Sequence, residues 1–173
     1  MALSKIQSES VNLADDFAFS GNVTGAGVSG KVLQVVNVFT SSNTSTNSTS
    51  WQNTGMLLSI TPSSTTSKIY VISTFGTKST TASNVGSGNQ KIRIYRTISG
   101  GSEVDLAITN IGTREANGFN DYVEGAGSIS VLDSPNTTNS CSYRIKIKSN
   151  HSSTNIQVPA GESGVLTLME IAG

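Results

Sequence analysis

The residues of this sequence best placed to do chemistry are the carboxylates Asp121 and Glu124. They share a segment with the aromatic residues Phe119 and Tyr122. Glycoside hydrolases use a pair of carboxylates, and aromatic rings beside such a pair can hold a sugar. Hydrolysis requires the two carboxylates at a fixed separation, which a flexible loop maintains poorly. A polysaccharide depolymerase acting through this pair is therefore the third of our hypotheses, and we expect no catalytic residues.

The other candidates for chemistry lack partners. His151 is the only histidine and Cys141 the only cysteine, so any Ser-His-Asp or Cys-His site must use His151. A predicted strand separates the two residues. One cysteine excludes an intrachain disulfide and argues against a thiolate metal site. Residues 25–30 match G-x-G-x-x-G, but a strand follows where a dinucleotide site needs a helix, which indicates a flexible joint. We expect no enzyme, no metal and no cofactor.

The composition excludes two classes of partner. The chain has 173 residues, a formal net charge of zero and only 13% charged residues. Nothing in this balance attracts nucleic acid or a membrane surface at long range, and no apolar stretch approaches the roughly 20 residues of a membrane span. We expect neither nucleic-acid binding nor membrane insertion. Abundant Ser, Thr, Asn and β-branched residues favour strands.

From residue 31 onward, short apolar runs alternate with polar turn segments. Residues 143–148, for example, alternate apolar with basic side chains, as one strand with a buried and an exposed face does. The runs lie at residues 32–39, 56–60, 69–75, 92–94, 104–108, 129–132, 143–147, 156–158 and 165–171. About nine short strands predict an all-β fold, a jelly-roll-like antiparallel β-sandwich over residues 31–173. Runs 32–39 and 165–171 are apolar on both faces, which is typical of central strands or of strands that meet another subunit.

Three segments are predicted to be long loops, at residues 41–50, 76–89 and 112–127. Loops of this length in a compact domain are often functional. The third combines charged and aromatic side chains, and we interpret it as a host-contact loop. Its contact residues are Arg114, Phe119, Asp121 and Tyr122.

Six basic residues fall on two predicted strands: Lys91, Arg93 and Arg96 on one, and Arg144, Lys146 and Lys148 on the other. If the strands are neighbours, a basic face results, which could meet phosphates of a bacterial surface polymer. The favoured interpretation is cross-strand ion pairing with Glu103 and Asp105. Trp51 is expected to plug the edge of the core, with stacking on a sugar as the alternative.

Residues 1–30 differ from the rest of the chain. Their sparse apolar residues, Val11, Leu13, Phe17, Phe19 and Val23, follow a spacing that favours extended backbone. So few apolar residues cannot form a core, so the segment needs its own copies or another surface to pack on. We predict that it is a docking and trimerisation segment, followed by a head domain over residues 31–173.

Three stretches of the chain carry a family resemblance. Residues 12–26 (NLADDFAFSGNVTGA), 59–71 (SITPSSTTSKIYV) and 166–173 (LTLMEIAG) resemble tail-fibre-like virion appendage proteins of marine tailed bacteriophages. The resemblance implies a homotrimer whose N-terminal segment attaches to other virion proteins and whose jelly-roll-like head points outward, often to bind host surface glycans. No binding residue carries over, because the outer loops share no motif. The chain has no long repetitive shaft, which leaves open a short head fibre, a capsid decoration protein or a tail adaptor.

The leading hypothesis is a structural bacteriophage virion protein, made in the bacterial cytoplasm and located in the virion. It would be a trimeric fibre or appendage subunit whose β head contacts the host surface. The alternative is a capsid decoration (cement) protein with no receptor role.

Overall fold

The computed structural model describes residues 30–81, 90–111, 121–161 and 164–173, and these ranges contain ten β-strands and no helix. The strands are β1 (Val32–Thr40), β2 (Thr44–Thr46), β3 (Gln52–Ile60), β4 (Lys68–Thr81), β5 (Gln90–Ile98), β6 (Glu103–Ile111), β7 (Asp121–Asp133), β8 (Cys141–Lys148), β9 (Thr154–Val158) and β10 (Gly164–Ile171). Within the same ranges, no helix has the length and hydropathy needed to span a membrane.

The strands pair as one long hairpin that is rolled up on itself. β1 pairs with β10, β3 with β8, β4 with β7 and β5 with β6, all antiparallel. The innermost turn joins β5 to β6 through Gly100, whose φ of 74° is a backbone conformation that favours glycine. Rolling the hairpin up gives two sheets with the orders β1-β10-β4-β7 and β3-β8-β5-β6, and β9 and β2 extend the first sheet to six strands. This is the arrangement of a jelly roll, and the predicted all-β sandwich is confirmed.

A single apolar layer between the sheets forms the core. Along β8 and β10, buried and half-buried residues alternate strictly, because successive side chains of a strand point to opposite faces. Isoleucines dominate the layer on the four-stranded side, and Leu166, Leu168 and Val71 face them from the six-stranded sheet. The fully buried isoleucines are Ile92, Ile94, Ile145 and Ile147 of the four-stranded sheet, and Ile69 and Ile156 of the six-stranded sheet.

All three predicted loops contain strand residues in the structure. β2 lies inside the segment 41–50, β4 continues to Thr81, and β7 begins at Asp121 rather than after residue 127. The extension of β4 shows the reason. Thr77 and Ser79 are buried while Thr80 is exposed, so small hydroxyl residues continue the alternation that apolar residues began. Such residues suit a pleated backbone but are also typical of loops, and composition alone does not separate the two.

A buried ion pair links the two sheets. Arg96 of β5 donates from Nη1 to both carboxylate oxygens of Asp133 in β7, at 2.7 and 2.8 Å, and the Tyr143 hydroxyl donates to Asp133 Oδ2 at 2.8 Å. Burial and this hydrogen bond raise the pKa of Tyr143. The grouping of Arg96 with Lys91 and Arg93 is therefore corrected. Arg96 lies three positions after Arg93 and points to the opposite face of the strand.

A second buried carboxylate, Glu170, fastens the turn between β3 and β4 to the sheet. Glu170 is fully buried in β10, and its Oε1 accepts hydrogen bonds from the backbone N and the hydroxyl of Ser63 at 2.7 and 2.6 Å. Its Oε2 accepts from Gln34 Nε2 at 2.6 Å, and the same amide nitrogen donates to Thr61 O. Burial alone would raise the pKa of Glu170, but the hydrogen bonds from Ser63 and Gln34 outweigh it and lower the pKa to about 2.

Replacing Asp133 with alanine should destabilise the fold by roughly 3 to 5 kcal/mol, because the Arg96 guanidinium is left buried without its counter-ion. The matched control is Asp105→Ala, which removes an exposed carboxylate from another arginine of β5 and should cost at most about 1 kcal/mol. Urea unfolding of both variants measures the difference. Equal losses would show that the buried pair does not hold the sheets together.

Glu170 should make the protein sensitive to acid. Its pKa in the folded chain, about 2, lies below the ordinary value of 4.5, so its contribution is present above about pH 4.5 and is lost as the pH falls toward about 2. Glu170→Gln should be less stable than the wild type at neutral pH, by up to roughly 3 kcal/mol, and equally stable near pH 2. Free energies of unfolding measured across this range test the expectation. A difference that does not change with pH would contradict it.

Candidate binding face

The outer face of the four-stranded sheet carries five of the eleven Lys and Arg residues of the chain. We call this surface the basic face, and it consists of Trp51, Lys91, Arg93, Tyr95, Glu103, Asp105, Arg144, Lys146 and Lys148. The pairing of β5 with β8 places Lys91 opposite Lys148 and Arg93 opposite Lys146. The expectation that the two basic strands are neighbours is confirmed.

Two aromatic rings lie at the centre of the basic face. Trp51, just before β3, meets Tyr95 of β5 edge to face, with ring centroids 6.1 Å apart and planes at 76°. The Arg93 guanidinium carbon lies 4.3 Å from the Trp51 ring centroid, and Lys148 Nζ lies 5.2 Å from it. Both distances are within the range of cation–π attraction. Trp51 is thus half-buried on an outer face, and the prediction that it plugs the core edge is wrong.

Two carboxylates of the edge strand β6 pair with cations of this face. Asp105 accepts a hydrogen bond from Arg93, and Glu103 accepts one from Lys146, so the predicted cross-strand ion pairs are present. Lys146 Nζ also lies 4.4 Å from the Tyr95 ring centroid. Tyr95 is buried beneath these side chains, and this burial raises its pKa although Arg93 acts in the opposite sense.

The outer face of the six-stranded sheet is different in kind. Cross-strand register aligns Val35, Met169, Tyr70 and Leu132 in one row across β1, β10, β4 and β7. The next outward-facing row, Asn37, Thr167, Ile72 and Ser130, is mostly polar, and the row beyond it begins at Phe39, which is 65% exposed. Val35 and Leu132 are more than half exposed. We call this surface the apolar face, and it consists of Leu33, Val35, Phe39, Tyr70, Ile72, Leu132, Val165 and Met169.

An open depression of about 520 Å³ adjoins the apolar face where β4 and β7 carry small residues. Gly76, Ala126 and Gly127 line it, together with Val165, the cross-strand partner of Phe39. Gly127 cannot be replaced without rearrangement, because a Cβ there would lie 2.6 Å from the Phe75 ring. The described residues that line the depression include no titratable group.

Most residues predicted to form sites lie outside the described part of the chain. This applies to Arg114 and Phe119 of the host-contact segment, and to Val11, Leu13, Phe17, Phe19 and Val23 of the docking segment. The backbone of Asp121 and Tyr122 belongs to β7 rather than to a loop, and their side chains lie outside the description. Glu124, the proposed partner of Asp121 in hydrolysis, is exposed and forms an ion pair with Lys78 at 3.0 Å.

The remaining candidates for chemistry are separated in space. Cys141 is fully buried at the start of β8, and His151 is exposed beyond the other end of that strand. Burial raises the pKa of the Cys141 thiol, which keeps the sulfur protonated and weakens it as a nucleophile. In the described ranges, no group of three or more His, Cys, Asp or Glu side chains is arranged to hold a metal ion.

Comparisons with known proteins give no family assignment. No protein-family model and no curated protein matches the sequence. Solved structures of infectious bursal disease virus show a distant similarity. The Gx strain structure matches at 14% identity and a TM-score of 0.33 over 83% of this chain and 38% of that one; the VP2 subviral particle matches at 14% and 0.32 over 81% and 37%. The Gt strain structure matches at 15% and 0.32 over 98% and 47%. The chain thus spans less than half of each, and TM-scores this low do not establish a common topology.

Proposed function

We propose that this chain is a structural protein of a bacteriophage virion, a subunit of a homotrimeric fibre or appendage. Residues 1–30 attach it to other virion proteins, and the β head contacts a glycan of the host surface. The observation that carries the proposal is the apolar face, because a protein that works as a lone soluble protomer rarely gathers most of its exposed large apolar side chains on one sheet.

The apolar face has the chemistry of a subunit contact. Four of the eight exposed large hydrophobic side chains in the described ranges belong to this face, namely Leu33, Val35, Phe39 and Leu132, and a fifth, Val32, precedes them on β1. Charged residues on the outward side of β4 stand only toward its ends, at Lys68 and Lys78. An uncharged centre with charges at its margin is the usual composition of a permanent interface between subunits.

The order of the strands along the chain supports different roles for the two outer faces, attachment on one and host contact on the other. Residues 1–30 lead directly into β1, which carries Val35 and Phe39. Gly30 and Lys31 are tied to Ala172 beside β10, by hydrogen bonds of 2.8 Å. This arrangement supports attachment and trimer contact on the six-stranded side of the sandwich. We expect the basic face, on the other side, to point away from the particle.

Phe39→Glu should convert the trimer into monomers, because it puts a charge at the most exposed apolar position of the contact. The matched control is Leu57→Glu, which changes a 41% exposed leucine on the other sheet beside Arg144 and should leave the trimer intact. Light scattering coupled to size-exclusion chromatography gives the mass at micromolar concentration. A wild-type monomer, or a trimer in both variants, would contradict the proposed contact.

Position on the particle distinguishes an appendage from a capsid decoration subunit, which would use the same apolar face for attachment. We expect gold-labelled antibodies against the recombinant head to mark fibres or the tail of a phage that encodes this chain. An antibody against the major capsid protein is the control for labelling of the shell. Labels distributed evenly over the capsid would favour the decoration protein.

A further inference from the structure

We propose that the basic face is a binding site for an acidic polysaccharide, whose uronate carboxylates contact Lys91, Arg93 and Lys148 and whose sugar rings pack beside Trp51. The inference deepens the host-contact part of the proposed function, because it names the surface and the class of glycan. It also moves the contact from the segment 112–127 to the outer face of the four-stranded sheet.

The placement of charge is the first argument. Lys91 and Lys148 are direct cross-strand neighbours, and like charges in this position destabilise a sheet. In the described part of the chain, neither takes part in an ion pair, whereas Arg93 and Lys146 each have a carboxylate partner. The chain has only 13% charged residues and no net charge, so two adjacent lysines without a carboxylate partner are an uncommon use of its few charges. An anionic ligand would relieve the repulsion.

The second argument is that Arg93 is held in place before any ligand arrives. Its guanidinium lies over the Trp51 ring, and it donates to the Tyr95 hydroxyl at 3.3 Å and to Asp105. Both hydrogen bonds use Nη1, so the other guanidinium nitrogens face no described acceptor. An arginine fixed in this way loses little conformational entropy when a carboxylate binds it.

The shape of the surface is the third argument. Two shallow depressions of about 290 and 230 Å³ open on this sheet. Each is lined by one arginine, one carboxylate and apolar carbon: Arg93, Asp105 and Ile108 in the first, and Arg144, Glu103 and Leu57 in the second. A sugar acid needs such a set, since arginine binds its carboxylate, Asp or Glu accepts from its hydroxyls, and apolar side chains cover its C–H faces.

The same set favours a polysaccharide over a nucleic acid. A nucleic acid presents a phosphate at every residue, and binding it requires a continuous positive track. Glu103 and Asp105 of β6 place negative charge beside the cations of β5, and the chain has no net charge to attract a polyanion from a distance. A glycan with hydroxyls between its acid groups fits a face on which a group of cations borders two carboxylates.

The test measures binding of fluorescently labelled oligogalacturonate to the full chain by anisotropy. We expect saturable binding that weakens with salt, and no binding of neutral dextran oligomers. The double variant Lys91→Gln/Lys148→Gln should bind about tenfold more weakly or worse. The control Lys31→Gln/Lys68→Gln removes the same charge outside this face and should bind within about twofold of the wild type.

A thermal melt separates a binding role from a structural one. Removing the lysine pair should leave the melting temperature unchanged or raise it, because a repulsion is lost. No binding by the wild type, an equal loss in the control variant, or tighter binding of an oligo(dT) strand would overturn the inference. Light scattering on the same samples keeps the two proposals apart: a trimer that does not bind removes only this inference, and a monomer that binds removes only the trimer.

Discussion

The apolar layer shared by the two sheets is the constraint on which the rest of the structure depends. Because side chains alternate along every strand, each residue committed to this layer leaves its neighbours on an outer face. Cys141, Tyr143, Ile145 and Ile147 are the buried half of β8, and Arg144, Lys146 and Lys148 are the other half. Packing the core thus decides where the cations stand.

The buried Asp133 carboxylate fixes how the two sheets are aligned. It belongs to β7 of one sheet and receives hydrogen bonds from Arg96 and Tyr143, which belong to neighbouring strands of the other. A shift of either strand by one residue would turn Arg96 or Tyr143 outward and leave the carboxylate buried without a donor. The same shift would carry the outward cations into the core. One buried ion pair therefore enforces the register that builds the basic face.

Alternation in the sequence was enough to predict nearly every strand, since each of the nine apolar runs became one. The prediction of strand length failed where Ser and Thr replace apolar residues on the buried side of a strand. In the far half of β4, Thr77 and Ser79 are buried although they are not apolar. The spacing of three residues between Arg93 and Arg96 already implies that they point to opposite faces of a strand, which the grouping of the six basic residues overlooked. The basic face itself was not readable from one sequence. It joins Trp51, just before β3, to Arg93 of β5 and Lys148 of β8, and the pairing of those strands is set by packing rather than by local pattern.

The position of the few charges is what makes the two outer faces different surfaces. Charge is expensive to bury at a permanent contact, and on β4 it stands only toward the ends of the outward side, at Lys68 and Lys78. A face that stays in water can carry cations. An aromatic ring beside a cation restrains its side chain through cation–π attraction, as the Trp51 ring does for Arg93. The chain enters the sandwich at β1, in the sheet that carries the apolar face, so the proposed attachment through residues 1–30 favours the opposite sheet as the one presented outward.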